Sequence, residues 1–267
     1  MEKEQLCVAL LQQDLIWENP EANRDKFDSL IRGLEGNPDI IVMPEMFSTG
    51  FSMNPAQHAS DMNQPMLAAM KEWSRLKNAA ICGSLMMKDE NTFVNRFVWV
   101  EPNAEVQFYD KAHLFRMGEE NQHYTAGNKR LLIQFRGWNI APFVCYDLRF
   151  PVWLRRTPEF DYDMLLFVAN WPERRTYHWR TLALARAIEN QSYVVAVNRV
   201  GVDGYGVSYQ GDSQVVDPLG MPIFRADDFK EVAETVTISK NNLLEYRKNF
   251  PAWADADPFF IPSLQPY

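Results

Sequence analysis

The chain has 267 residues, and 27 basic against 35 acidic side chains give a net charge of −8. Hydrophobic residues at 46% and charged residues at 23% supply a sizeable core and exclude a disordered chain. The acidic balance argues against nucleic acid as the main partner, since a polyanion is bound by clustered positive charge.

No apolar run approaches the roughly 20 residues that cross a bilayer. The run after the charged N-terminus, Leu6–Leu11, is short for a secretory leader. Cys7, Cys82 and Cys145 form no CxxC pair and leave an odd one over. A disulfide framework is therefore not expected, and a reducing cytoplasmic setting is.

Leu6–Leu11 reads as the first strand. Pro20–Leu34 follows as a helix, with Asn19 as its cap and Pro20 at its first position. Asp39–Met43 is a second strand ended by Pro44, Gln64–Lys77 a helix, and Ala79–Leu85 a strand. Thr92–Val100 and Val106–Lys111 flank Glu101-Pro102-Asn103-Ala104 as an antiparallel hairpin. Leu131–Phe135 and Trp138–Cys145 repeat that pattern around Arg136-Gly137.

Met164–Ala169 is apolar without alternation, which places it centrally with both faces covered. Thr176–Asn190 is a helix and Tyr193–Val200 a strand. Gly201-Val202-Asp203-Gly204-Tyr205-Gly206 lacks the Lys-Ser/Thr and the helix of a phosphate loop, and reads as a turn. Alternating strands and helices with inserted hairpins predict an α/β fold with helices outside mixed sheets. No repeat or linker divides residues 1–267, so one domain is expected. The aromatic tail from about 250 to 267 is expected to pack on that domain or on a partner subunit.

Cys145 ends the apolar run Ile140–Val144 and precedes Tyr146-Asp147-Leu148-Arg149-Phe150-Pro151. A cysteine at a strand-to-turn junction can expose its sulfur beside backbone N–H groups. Free cysteine is also among the most buried residue types, so position alone leaves both readings open. Glu45 follows Ile40–Pro44 at a strand end, where α/β sheets bind ligands and where desolvation suits a general base, although taken alone it reads better as a solvated loop acid. Lys111 ends a strand and could hold an oxyanion, or be an ordinary surface lysine. None of His58, His113, His123 and His178 has a motif tying it to Cys145 or to a metal.

Three segments taken together carry more information than any one. Val42-Met43-Pro44-Glu45-Met46-Phe47, Tyr109-Asp110-Lys111-Ala112-His113 and Val144-Cys145-Tyr146-Asp147-Leu148-Arg149 place Glu, Lys and Cys 66 and then 34 residues apart. They resemble the signature blocks of the nitrilase superfamily of carbon–nitrogen hydrolases, and most closely those of bacterial ω-amidases. The resemblance runs to about Ile238 and includes Phe167–Pro172 and Arg186–Asn190.

The resemblance implies a four-layer α-β-β-α sandwich, usually a homodimer, acting on a small-molecule amide without metal or organic cofactor. It implies hydrolysis of the terminal amide of 2-oxoglutaramate or 2-oxosuccinamate. Another small amide, carbamoyl compound or nitrile is the alternative within the superfamily. Cys145 would be the nucleophile, Glu45 the general base, and Lys111 with the Tyr146 backbone N–H the oxyanion donors. The second glutamate of the pattern falls at Glu120, with Glu119 one residue away. For the substrate carboxylate Arg149 is the first candidate, although it could instead bridge structural carboxylates beneath the nucleophile. Arg174 and Arg175 are further candidates, and Trp171 and Phe47 are expected to wall the pocket. A Cys–His hydrolase and a non-catalytic scaffold are the competing classes.

Overall fold

A computed structural model describes residues 2–259 and 261. Strands β1 (Gln5–Gln12), β2 (Ile40–Val42), β3 (Ala80–Asp89), β4 (Thr92–Val100) and β5 (Val106–Asp110) lie side by side in one sheet. A second sheet takes β6 (Ile133–Phe135), β7 (Trp138–Val144), β8 (Met164–Val168) and β9 (Tyr193–Val197). β10 (Val200–Val202) and β11 (Ser208–Gln210) form a separate hairpin. β12 (Gln214–Val216) and β13 (Pro222–Arg225) extend the second sheet, and β14 (Val232–Ser239) returns to pair with β1. Each main sheet therefore has six strands and a parallel centre: β1-β2-β3 in one, β7-β8-β9 in the other.

Alternation along the strands sorts side chains between two packed layers. Leu6, Val8, Leu10, Ile40, Val42, Ala80 and Cys82 join the second sheet's residues in one buried cluster. Their neighbours Ala9, Leu11, Ile41 and Ile81 face the helices Pro20–Gly33 and Pro65–Lys77 through Phe27, Ile31, Met70 and Trp73. On the far side, Trp179, Ala183 and Ala187 of the helix Thr176–Asn190 cover the second sheet. The result is the α-β-β-α sandwich, with the core at the meeting of the sheets.

The local signals behave as expected in most places. Asn19 Oδ1 accepts from Ala22 N–H at 3.1 Å and caps the first helix. Met164–Val168 is buried throughout and parallel-paired on both sides. The expected strand Tyr193–Val200 instead breaks after Val197. Asn198 leaves the ladder there, accepting from Trp171 N–H at 2.8 Å and donating to Gly211 O at 2.7 Å.

Tail residues are tied to the domain mainly through their backbone. Gln191 donates to Phe250 O at 2.7 Å and accepts from Trp253 N–H at 3.2 Å. Ile261 packs on the core, whereas the rings of Phe250 and Trp253 stay about half exposed. Phe260 and residues 262–267, also part of the expected packed tail, lie outside the described residues.

Candidate active site

Glu45, Lys111 and Cys145 stand three, one and one residues past the ends of β2, β5 and β7. After β2 the chain continues along β3, with Met43 N–H on Cys82 O at 2.8 Å. It then turns sharply at Met46, φ +42°. Glu45 lies fully buried on the inter-sheet side of that turn. Lys111 follows β5, its N–H on Asn95 O at 3.0 Å and its carbonyl accepting from Gly127 N–H at 2.9 Å. A Cβ on Gly127 would fall 2.1 Å from Asp110 O, so only glycine allows this approach.

Cys145 begins a 3₁₀ turn directly after β7, at φ +45°. A left-handed conformation is costly for a residue with a Cβ and persists only where surroundings impose it. Here the buried Asp147 carboxylate imposes it, accepting from Val144 N–H at 3.0 Å, Tyr109 hydroxyl at 2.8 Å and His113 N–H at 3.0 Å. Arg186 Nη2 donates to Leu148 O at 2.8 Å from below. His113 Nδ1 also meets Asp147, at 2.8 Å, and its ring stacks on Phe150. Among the described residues no histidine hydrogen-bonds Cys145, whose Sγ faces Asn170 O at 3.9 Å.

Lys111 Nζ sits between two carboxylates, 2.8 Å from Glu45 Oε1 and 3.0 and 2.9 Å from Glu120 Oε1 and Oε2. All three side chains are completely buried. Burial by itself would lower the lysine pKa, but the charges of Glu120 and Glu45 outweigh it and hold the ammonium strongly protonated. Burial raises the Glu120 carboxyl, with Lys111 pulling back and Glu45 adding to the rise. Burial likewise pushes the Cys145 thiol well up, Glu45 reinforcing it and Lys111 opposing it. Cys145 thus rests as a neutral thiol where it meets the cluster.

Of the two adjacent glutamates, Glu120 belongs to this cluster. Glu119 is exposed at φ +60°. Phe115 N–H donates to Glu120 Oε2 at 2.6 Å, so the short helix Glu120–His123 and the loop before it share one anchor. Two amides complete the cluster and were not anticipated from the sequence. Asn95 Nδ2 donates to Glu45 Oε1 at 2.8 Å and to Glu120 Oε1 at 3.1 Å. Asn170 donates its backbone N–H to Glu45 Oε2 at 2.8 Å and Nδ2 to Glu45 O at 2.6 Å. A lone amide within the apolar run Thr92–Val100 was the available signal for Asn95.

Cys145 opens on a cavity of about 380 Å³. Tyr146 and Trp171 line it, Trp171 held by its indole N–H on Arg175 O at 2.8 Å. Arg149, Arg174 and Arg175 line it too. Among the described residues Arg149 bridges no carboxylate: its guanidinium lies 4.8 Å over Trp171, with Nη2 3.0 Å from His178 Nδ1. The structural arginine beneath the nucleophile turn is Arg186. Burial and the repulsion of Arg174 and Arg149 lower the Arg175 pKa, a mark of crowded positive charge. Of the Gly201–Gly206 segment, read as a turn, Gly201 and Val202 instead belong to β10, and the chain turns over Asp203–Gly206, which brings Asp203 and Tyr205 to the cavity wall.

Phe47 is a correction. The turn at Met46 sends its ring to the helix side of the first sheet, fully buried 5.3 Å from Phe27. Gly83 makes room for it, since a Cβ there would stand 2.8 Å from the ring. Phe51 takes the place at the cavity, with Lys111 Nζ 5.2 Å from its ring centre.

The carbon-nitrogen hydrolase family profile matches residues 7–248, and this chain belongs to that family of hydrolases. Among individual relatives, it is 49% identical to the omega-amidase YafV of Escherichia coli K12 over 258 residues, 95% of this chain and 98% of that one. The 2-oxoglutaramate amidase of Bacillus subtilis is 26% identical over 251 residues, 93% of this chain and 96% of that one. In structure it resembles XC1258 of Xanthomonas campestris, a CN-hydrolase superfamily protein solved with an arsenic adduct in its active site. The TM-score is 0.94 at 43% identity, covering 97% of this chain and 100% of that one.

Proposed function

We propose that this hydrolase cleaves the terminal amide of 2-oxo dicarboxylic acid monoamides such as 2-oxoglutaramate and 2-oxosuccinamate, releasing ammonia. The observation that carries the reading is a cysteine beside a buried carboxylate–lysine–carboxylate cluster, opening on a cavity with three arginines. The names of the relatives point to the same substrates. A 2-oxo acid presents a carboxylate remote from its amide, and Arg149, Arg174 and Arg175 are the groups that would receive it. Trp171 and Phe51 would flank the carbon chain.

In this reading the Cys145 sulfur attacks the amide carbon as its proton passes to Glu45. Lys111 and the Tyr146 backbone N–H hold the resulting oxyanion. Glu45 returns the proton to the amide nitrogen, the C–N bond breaks, and ammonia leaves a thioester on Cys145. Glu45 then takes a proton from water, the hydroxide attacks the thioester carbon, and the sulfur regains a proton as the acid departs. Glu120 keeps Lys111 charged and placed throughout.

Among the described residues no helix is long and apolar enough to cross a membrane. A cytoplasmic location is part of the proposal, supported by three cysteines that are all free. So is a homodimer formed through the helices over the second sheet. Ile188 packs against Gly220 there, and with Leu219, Met221 and Ile223 it stays exposed. Light scattering tests the dimer.

Ammonia release from 2-oxoglutaramate, glutamine, a carbamoyl amine and an aliphatic nitrile tests the substrate. Turnover of 2-oxoglutaramate above the others, lost in Cys145→Ala, is the expected result. Preference for another amide, or for the nitrile, would refute the substrate and keep the mechanism.

A further inference from the structure

We infer that Asn95, oriented by Ser84, is a positioning residue that sets the proton-transfer geometry of Glu45. Both side chains are fully buried. Met46 N–H donates to Ser84 Oγ at 2.9 Å, and Ser84 Oγ–H donates to Asn95 Oδ1 at 2.8 Å. Ionised carboxylates only accept, so the Asn95 amide has one orientation, with Oδ1 toward Ser84, and the serine hydrogen points to it. Its NH₂ then faces the two carboxylates, one hydrogen for each, at 2.8 Å from Glu45 and 3.1 Å from Glu120.

Counting donors separates the roles of the two glutamates. An ionised carboxylate offers about four acceptor sites. Glu120 has four contacts, Asn95 and Lys111 on Oε1, Lys111 and Phe115 N–H on Oε2. Glu45 has three among the described residues: Asn95 and Lys111 fill Oε1, and Asn170 N–H occupies one site on Oε2. The remaining site is on Oε2. Asn95 thereby closes Oε1 to protons and leaves Oε2 as the oxygen that exchanges them with sulfur, nitrogen and water. It also separates two like charges that share a single lysine.

This inference rests on Glu45 acting as the base, and the test keeps the two apart. The pH profiles of kcat and KM for ammonia release are measured for the full-length wild type, Asn95→Ala, Ser84→Ala and Glu45→Gln. Thermal melting establishes folding of each. Asn95→Ala is expected to lose about 10²-fold in kcat, the scale of a misplaced reacting group, with KM within about threefold. Removing a donor disfavours the charged carboxylate, so the acidic limb of kcat/KM moves to higher pH. Ser84→Ala leaves Asn95 Oδ1 without its donor and loosens the placement of the amide, and about a tenfold loss with a smaller move in the same direction is expected. A role confined to filling the interior would lower the melting temperature and leave the acidic limb in place.

A folded Asn95→Ala with wild-type kcat, or with an unmoved limb, overturns the inference. Should that variant not fold, an unmoved limb and unchanged kcat in Ser84→Ala overturn it. An active Glu45→Gln overturns both the base assignment and this inference. If the wild type is idle on 2-oxoglutaramate but cleaves another amide of the panel, only the substrate reading fails, and the same profiles are read on that amide.

Discussion

The buried cluster and the arginine rim sit on either side of Cys145 and are built in opposite ways. In the cluster, Glu45, Lys111 and Glu120 are fully buried, and the amides of Asn95 and Asn170 donate to the two carboxylates. At the rim, Arg149 rests on Trp171, and Arg175 is crowded by its own kind. A network satisfied at all but one of its carboxylate acceptor sites holds its geometry in low dielectric before substrate arrives. Cations with no carboxylate partner among the described residues, beside open space, suit an anion. In the proposed function the chemistry therefore falls to the first region and the choice of substrate to the second.

The harshest way to break this contrast is Lys111→Met. It leaves two buried carboxylates without a cation, so it should cost about 3–5 kcal/mol of stability as well as activity. Loss of the oxyanion donor accounts for a kcat drop of about 10²–10³-fold or more. Denaturant melts and ammonia release check both, and an active, fully stable variant would refute the cluster's role.

A second pair sharpens the boundary between core and cavity. Phe47→Ala empties the helix-side core and should destabilise by about 3–5 kcal/mol with KM little changed. Phe51→Ala should do the reverse, raising KM several-fold for well under half that stability, since Phe51 is only partly buried. Denaturant melts alongside KM decide it, and a shared pattern would erase the distinction.

The smallest effect is on pH. Burial raises the Glu120 carboxyl above its usual range, so on acidification it gains a proton in the native site earlier than a free glutamate does. Lys111 then loses a counter-charge, and kcat/KM should fall with decreasing pH from above the ordinary carboxylate range. Glu120→Gln removes the raised carboxyl and should move the limb to lower pH. A limb identical in shape and position would contradict the assignment.

Much of the cluster was visible in the sequence, for a physical reason. Glu45 and Cys145 each follow an apolar run, Lys111 follows the last residue of a strand, and a charge or thiol placed there faces the crevice. Glu120 and Glu119 stand side by side, and only the turn at Glu119, φ +60°, settles which one is buried. Phe47 misled because the same kind of turn at Met46 cancels the strand's alternation. Asn198 broke a strand that pattern alone ran to Val200, because its amide bonds to Trp171 and Gly211 are tertiary. The rim was least legible. Phe51, Asp203 and Tyr205 come from loops that meet only when both sheets are in place. Met164–Val168, by contrast, needed no context, since an unbroken apolar run has only a central position to occupy.

The most direct measurement is kcat and KM for Glu120→Gln and Arg175→Met, side by side on 2-oxoglutaramate. The division between chemistry and choice predicts that Glu120→Gln loses kcat with KM nearly unchanged. It predicts that Arg175→Met raises KM about 10–100-fold, the worth of a hydrogen bond to a charged group, with kcat nearly unchanged. The opposite assignment, a KM effect at Glu120 and a kcat effect at Arg175, would contradict it.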